Sequence, residues 1–220
     1  MASAHRTLGM VCALKQEAEA LSTWVPTSET YWHHHFRWIH FQIHSVQIVI
    51  VVSKPGRKNA KKATRLLIEQ SAPQWIINFG CAGAIAPHLN IGTMVVATST
   101  AEYQIPLQPI HWVPTEPLFQ SLFQPDLNIH LGPIISANQN VTTKELKQKL
   151  YQNYQALCVD WESAPIMQVC HDRRIPATAF RVITDLAEEQ AIQQFNDSHA
   201  SVLQAAADNL KQGLMRIGLL

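Results

Sequence analysis

Charge of one sign is what this chain most conspicuously lacks. Its 220 residues carry 17 Lys and Arg against 16 Asp and Glu, and charged residues make up only 15%. Non-specific nucleic-acid binding needs a concentrated basic face, because phosphate neutralisation supplies most of that affinity. The nearest approach is Lys54, Arg57, Lys58, Lys61, Lys62 and Arg65, which on a helix spread around a solvated side. No nucleic-acid partner is expected. Cysteine is scarce as well. Cys12, Cys81, Cys158 and Cys170 lie far apart in apolar surroundings, and no pair has the CxxC spacing of a zinc or redox motif. Buried free thiols in a reducing cytoplasm are the expectation. Long apolar runs are missing too. The opening MASAHRTLGMVCALKQEAEAL is broken by Lys15, Glu17 and Glu19, too short and too charged for a signal peptide or a span. A soluble cytoplasmic protein with no membrane span is expected. Absence of G-x-S-x-G and of an evident triad order removes the serine-hydrolase reading.

What is present is core-forming material, 47% hydrophobic, enough for one domain over residues 1–220. Short apolar runs at Leu8–Leu14, Trp75–Phe79, Thr93–Thr98, Ile129–Ser136, Ala156–Val159 and Ala177–Ile183 read as buried strands. Phe36–His44 and Val46–Ser53 read as a hairpin rich in β-branched and aromatic residues. Helical spacing is found at Gln16–Trp24, Asn59–Gln70, Thr143–Tyr154, Ser163–Asp172 and Ser198–Ile217. Residues Glu102–Asp126 carry five prolines and little periodicity, and read as a long surface loop. Strands apolar on both faces and separated by helices indicate a three-layer α/β/α sandwich with a mostly parallel or mixed central sheet.

Ligands of such sheets bind at the carboxyl ends of strands. Four polar or small-residue groups fall there: Lys15–Glu17, Gly80–Gly83, Asp160–Ser163 and Thr184–Asp185. A plain structural role competes with each carboxylate. Glu17 opens a helix, where a negative side chain suits the dipole and caps free amides. Asp160 and Glu162 flank Trp161 and can cap the helix that follows; strand alternation sets both carboxylates on one side, with Trp161 opposite. Asp185 ends an apolar run, where desolvation raises a carboxyl pKa and suits it to general-acid work, or else it caps the segment from Leu186. His33, His34 and His35 are adjacent, but alternation in a strand scatters their rings to opposite faces, so a metal site is not expected. Trp32, Trp38 and Trp112 read as core or interface aromatics.

The blocks GMVCALKQEAEAL, INFGCAGAIAPHLNIGTMVVAT and VDWESAPIMQVCHDRRIPATAFRVITDLA together resemble the nucleoside phosphorylase/hydrolase superfamily, and within it most resemble methylthioadenosine/S-adenosylhomocysteine nucleosidases. The similarity runs in order from about Leu8 to the C-terminal helix and is weakest over Tyr31–His44 and Glu102–Asn128. It implies a twisted mixed sheet surrounded by helices, cleavage of the N-glycosidic bond of a 5′-modified purine nucleoside, a homodimer, and no metal or organic cofactor. It further implies that Glu17 activates the attacking water, that Asp185 protonates the departing base, and that Glu162 holds the ribose 2′- and 3′-hydroxyls. Asp160 would support Glu162, and Phe195 would line the pocket for the 5′ substituent. Cys81, Ala82 and Gly83 fall in the central glycine motif, and Asn140 in the base-binding segment.

Departures from the family pattern keep alternatives open. Cys81 stands where serine or threonine is common, Trp161 replaces a methionine beside the ribose, and Asn138 and Asn140 occupy the segment that otherwise brings a stacking phenylalanine. The VD-x-ES spelling is also similar to hopanoid-associated nucleoside phosphorylases and futalosine-type hydrolases. Superfamily phosphorylases hold phosphate with arginines, whereas CALKQEA and NFGCAG offer Gln16 and Asn78. Water is favoured, with Lys54, Arg57 and Lys58 near Gly56 as a possible unorthodox anion site. A phosphorylase of the same fold and a nucleoside-binding member without turnover stand as the alternatives.

Overall fold

The structure is a computed structural model and describes residues 6–122, 127–137 and 139–220. Its strands are β1 (Arg6–Cys12), β2 (Glu29–His33), β3 (Phe36–Ile43), β4 (Val46–Val52), β5 (Trp75–Ala84), β6 (Met94–Glu102), β7 (Val113–Pro114), β8 (Ile129–Ser136), β9 (Cys158–Asp160) and β10 (Ala177–Asp185). The helices are α1 (Lys15–Ser22), α2 (Arg57–Ser71), α3 (Lys144–Tyr154), α4 (Ser163–Asp172) and α5 (Ala191–Arg216). All ten strands belong to one mixed sheet.

Strand β1 lies between β4 and β5, parallel to both, and β5 runs parallel to β10. Beyond β4 the sheet continues antiparallel through β3 to β2. On the other side β10 pairs with β6, β6 with β8, β8 with β9, and β9 returns to β5. Five strands therefore close into a ring, and β1 to β4 form an open wing that leaves it at β5. Closure removes strand edges from that half of the sheet. Strands β1 and β10 are buried along nearly their whole length, which is why they read as continuous apolar runs. Phe79 of β5 and Phe180 of β10 stack with ring centroids 6.2 Å apart between the sheet and α5. On the opposite face α2 buries Ala60, Ala63 and Leu67, while Arg57, Lys58, Lys62 and Arg65 stay exposed. Among the described residues no helix is long and apolar enough to cross a membrane.

Several expectations need correction. His34 and His35 are not in a strand; both take left-handed φ and form the β2–β3 turn, so strand alternation does not govern their rings. Strand β2 was not anticipated, and its Trp32 is 69% exposed, which excludes a core role. Trp38 by contrast is buried, and Trp112 is partly so. The glycine run does not end β5 but forms its last turns of pleat, through Ala84. Helix α5 starts at Ala191 rather than Ser198. The proline-rich segment is anchored, not merely draped: Tyr103 is buried, β7 pairs with β6, and a 3-10 helix at Pro117–Leu122 buries Phe119 and Leu122. Residues 123–126 of that segment lie outside the described ones.

Candidate active site

Strand β1 delivers the chain to α1 through Ala13 and Leu14. Their amides donate to Glu17 Oε2 at 2.7 and 2.8 Å, and the Cys81 amide, from β5, donates to Glu17 Oε1 at 3.0 Å. Glu17 is only 2% exposed. It does cap the start of its own helix, as the structural reading required, but the bond to Cys81 also ties it to the central strand. Burial raises its pKa, while Arg181 and the three amides pull in the other direction.

Strand β9 ends at Asp160, and strand alternation ends with it. Asp160, Trp161 and Glu162 all line the same cavity, so Trp161 does not face away from the two carboxylates. Asp160 is committed to its neighbours. It accepts the hydroxyls of Ser136 and Ser163, the amides of Glu162 and Ser163 at 3.2 Å each, and Arg181 Nε at 2.6 Å. The capping function thus belongs to Asp160. Glu162 makes no side-chain cap, and its Oε1 instead accepts the amide of Gly56 at 2.7 Å. Burial, aided by the nearby Asp160 charge, pushes the Glu162 pKa up to about 7.

Asp185 closes β10. Its Oδ1 accepts the Ala187 amide at 2.9 Å and its Oδ2 the Thr184 hydroxyl at 3.2 Å. Burial raises its pKa against those two bonds and the Lys147 charge. The backbone at Gly83 passes close by, and a Cβ there would meet Asp185 Oδ1 at 2.7 Å.

Arg181 was missed in the sequence. It is 1% exposed in the middle of β10, bound by Asp160, by Ser163 Oγ at 3.1 Å and by Asn78 Oδ1. Burial alone would lower its pKa, but Asp160, Glu17 and Glu162 outweigh that and raise it. The available signal was a lone arginine inside the apolar run ATAFRVITD, since an unpaired buried charge is prohibitively costly. Gly80 is needed for the same arrangement. A Cβ at that position would collide with Arg181 Nη1 and Glu17 Oε1, so these two groups converge over its Cα.

The cavity has a volume of about 270 Å³. Glu17, Cys81, Ala82, Gly83, Asn140, Asp160, Trp161, Glu162, Asp185 and Phe195 all line it, although they come from six separate stretches of sequence. Sequence reasoning did not find Leu14, Pro55, Val141 and Ile192, which are among the other residues that form the walls. Asn138 lies outside the described residues. Lys54, Arg57 and Lys58 do not line the cavity, and Arg57 pairs with Glu102 at 2.7 Å. Among the described residues no three His, Cys, Asp or Glu side chains gather as a metal-holding group. Glu17 from α1 and Asp185 from β10, both of raised pKa and facing one small cavity, can divide base and acid work between them.

Comparison with known proteins agrees with this architecture. A 5′-methylthioadenosine/S-adenosylhomocysteine nucleosidase of Staphylococcus epidermidis is 29% identical over 207 residues, covering 86% of this chain and 91% of the relative. The crystal structure of the nucleosidase of that name from Helicobacter pylori superposes with a TM-score of 0.90 at 22% identity, covering 97% of this chain and all of that one. Futalosine hydrolase of Helicobacter pylori superposes with a TM-score of 0.89 at 22% identity, covering 96% of this chain and 98% of that one. The profile described as phosphorylase superfamily matches residues 7–217. By that match across nearly its whole length, the chain belongs to the phosphorylase superfamily.

Proposed function

We propose that this protein hydrolyses the N-glycosidic bond of a 5′-modified purine nucleoside, such as methylthioadenosine or S-adenosylhomocysteine, with water as the nucleophile. One observation carries the reading: Glu17, Glu162 and Asp185 line a single cavity whose volume of about 270 Å³ suits a nucleoside. Cleavage builds positive charge on the sugar and negative charge on the base, as in other oxocarbenium-type reactions. Asp185, whose pKa burial raises, gives its proton to the departing purine. Glu17 takes a proton from water, its three amide bonds leaving one lone-pair direction for that water. Glu162 orients the ribose hydroxyls and its charge favours the cationic sugar. Arg181 steadies the ionised form of Glu17.

Water rather than phosphate fits the electrostatics. A phosphate dianion in the cavity would face Glu17 and Glu162, and the one arginine beside them is already neutralised by Asp160 at 2.6 Å. None of Lys54, Arg57 and Lys58 reaches the cavity lining to compensate. The names of the relatives and the resemblance of the carboxylate blocks support the same choice. A homodimer in the cytoplasm is part of this reading, supported by the family resemblance. The deciding experiment incubates a panel of purine nucleosides with and without phosphate and watches for free base. Phosphate-independent release supports the proposal. Release only with phosphate, accompanied by a sugar 1-phosphate, replaces it with a phosphorylase, and binding without release replaces it with a nucleoside-binding protein.

A further inference from the structure

The chain that follows Asp185 is held in a costly shape. Ala187 takes a left-handed φ of 52°, a region that a residue with a Cβ seldom adopts, so its surroundings must fix it. The fixing matters to the carboxyl, because the Ala187 amide is the donor to Asp185 Oδ1 at 2.9 Å. Two helices supply it. The Leu186 amide donates to Gln194 Oε1 of α5 at 2.9 Å, and Lys147 Nζ of α3 donates to the Leu186 carbonyl at 2.7 Å. The same ammonium reaches Glu188 Oε1 at 3.1 Å, so it bonds on both sides of Ala187.

Lys147 differs from its neighbours on α3. Its side chain is 14% exposed, against 74% for Lys144 and 57% for Lys149. A lysine withdrawn from water needs partners for its charge and its donors, and both partners here lie in residues 186–188. Lys147 does not line the cavity, yet its charge opposes the rise that burial imposes on the Asp185 pKa. The other groups around that carboxyl are the Thr184 hydroxyl of β10, the Cys81 thiol of β5 and the Cys158 thiol of β9. Glu17 and Glu162 line the same cavity, Arg181 of β10 is paired with Asp160, and Lys144 joins Glu188 at 3.7 Å. From α5 come the neutral Gln194 and Ser198, with His199 stacked on Phe195 at 4.8 Å.

We propose that Lys147 is a positioning residue for the reaction: from outside the cavity it locks residues 186–188 so that Asp185 stays aimed at the base, and it stabilises the carboxylate left once the proton has passed. The inference rests on the nucleosidase reading, in which Asp185 is the acid. In that step the Asp185 O–H bond breaks and the proton joins a ring nitrogen of the base. The electron pair of the glycosidic bond leaves with the base, and the fixed Lys147 charge offsets the new negative charge on Asp185.

The test follows single-turnover release of adenine from 5′-methylthioadenosine across pH, with thermal denaturation of each variant. Lys147→Gln keeps a donor for the Leu186 carbonyl but carries no charge. It should lower the plateau rate about tenfold, the scale of one charge-assisted contact. It should also move the alkaline limb to higher pH, because the Asp185 pKa is no longer pulled down. Lys147→Arg should restore both plateau and limb. Glu188→Gln loosens the turn but keeps the cation, so its limb should not move to higher pH. An unmoved limb in Lys147→Gln, or an equal upward shift in Lys147→Arg or Glu188→Gln, would overturn the inference while leaving the nucleosidase reading intact. A wild-type protein that releases no base would overturn both.

Discussion

The backbone amide of Gly56 donates to Glu162 Oε1 at 2.7 Å, joining the loop after β4 to the strand-to-helix junction after β9. That bond orients a carboxylate whose pKa burial raises to about 7. If ionised Glu162 grips the ribose, kcat/KM climbs as pH rises through about 7, and Glu162→Gln removes that ionisation from the pH profile. The stability effect has the opposite sense. The folded pKa lies above the ordinary 4.5, so the folded protein binds the extra proton between those values. Its contribution is full below pH 4.5 and is lost as pH approaches 7. Across that window the Tm of the wild type should fall relative to Glu162→Gln.

Replacing Asp185 with Asn should lower kcat by about 10²–10⁴, because an amide cannot act as the acid. The raised pKa of Asp185 sets the direction of the alkaline limb: turnover falls as pH climbs through it and the proton is lost. Unchanged melting with lost base release, followed by absorbance, would be the expected pair of results. Near-normal turnover would remove Asp185 from the role.

Glu17→Gln should fail twice. Water activation is lost, and the new amide must turn donors toward backbone N–H groups that now bond to the carboxylate. A buried donor facing a donor costs about 1–3 kcal/mol, so Tm should drop along with activity. Thermal denaturation and single-turnover base release measure the two effects separately.

Gly80→Ala inserts a methyl where Arg181 and Glu17 converge. Overpacking of this kind costs about 1–3 kcal/mol, and here it also displaces the residue proposed to activate water. Activity should fall by more than the stability loss explains. A fully active Gly80→Ala variant would mean that the two side chains do not meet over that Cα.

Arg181→Met leaves Asp160 buried without its partner, a loss of about 3–5 kcal/mol. Adding Asp160→Asn should recover part of the Tm without restoring activity. Full recovery of turnover in the double variant would show that Arg181 serves the fold alone.

How much of this was legible in the sequence depended on whether burial left a pattern. Asp185 stood out because a carboxylate ended an apolar strand, and the 160–163 group because it divided a strand from a helix. Arg181 sat in equally plain view within β10, but its partners Asp160, Ser163 and Asn78 are 18 to 103 positions away and could not be paired by inspection. Strand β2 left no signal, since ETYWH is exposed along most of its length and has no apolar alternation. The first turns of α5 escaped for a related reason: after Ala191, the next fully buried residue is Leu203, so the intervening turns show no core stripe. Those turns instead offer Ile192 and Phe195 to the cavity.

The division of the sheet into a closed ring and an open wing has a mechanical consequence. Glu17 follows β1 of the wing, whereas Glu162 follows β9 and Asp185 ends β10 of the ring. The proposed base and the proposed acid are therefore mounted on two parts of the sheet that meet along β5, crossed by the bonds from Gly56 to Glu162 and from Cys81 to Glu17. Their separation is set by how firmly β1 lies against β5, so mutations at that seam, far from any ligand, can detune the chemistry without touching a reacting group.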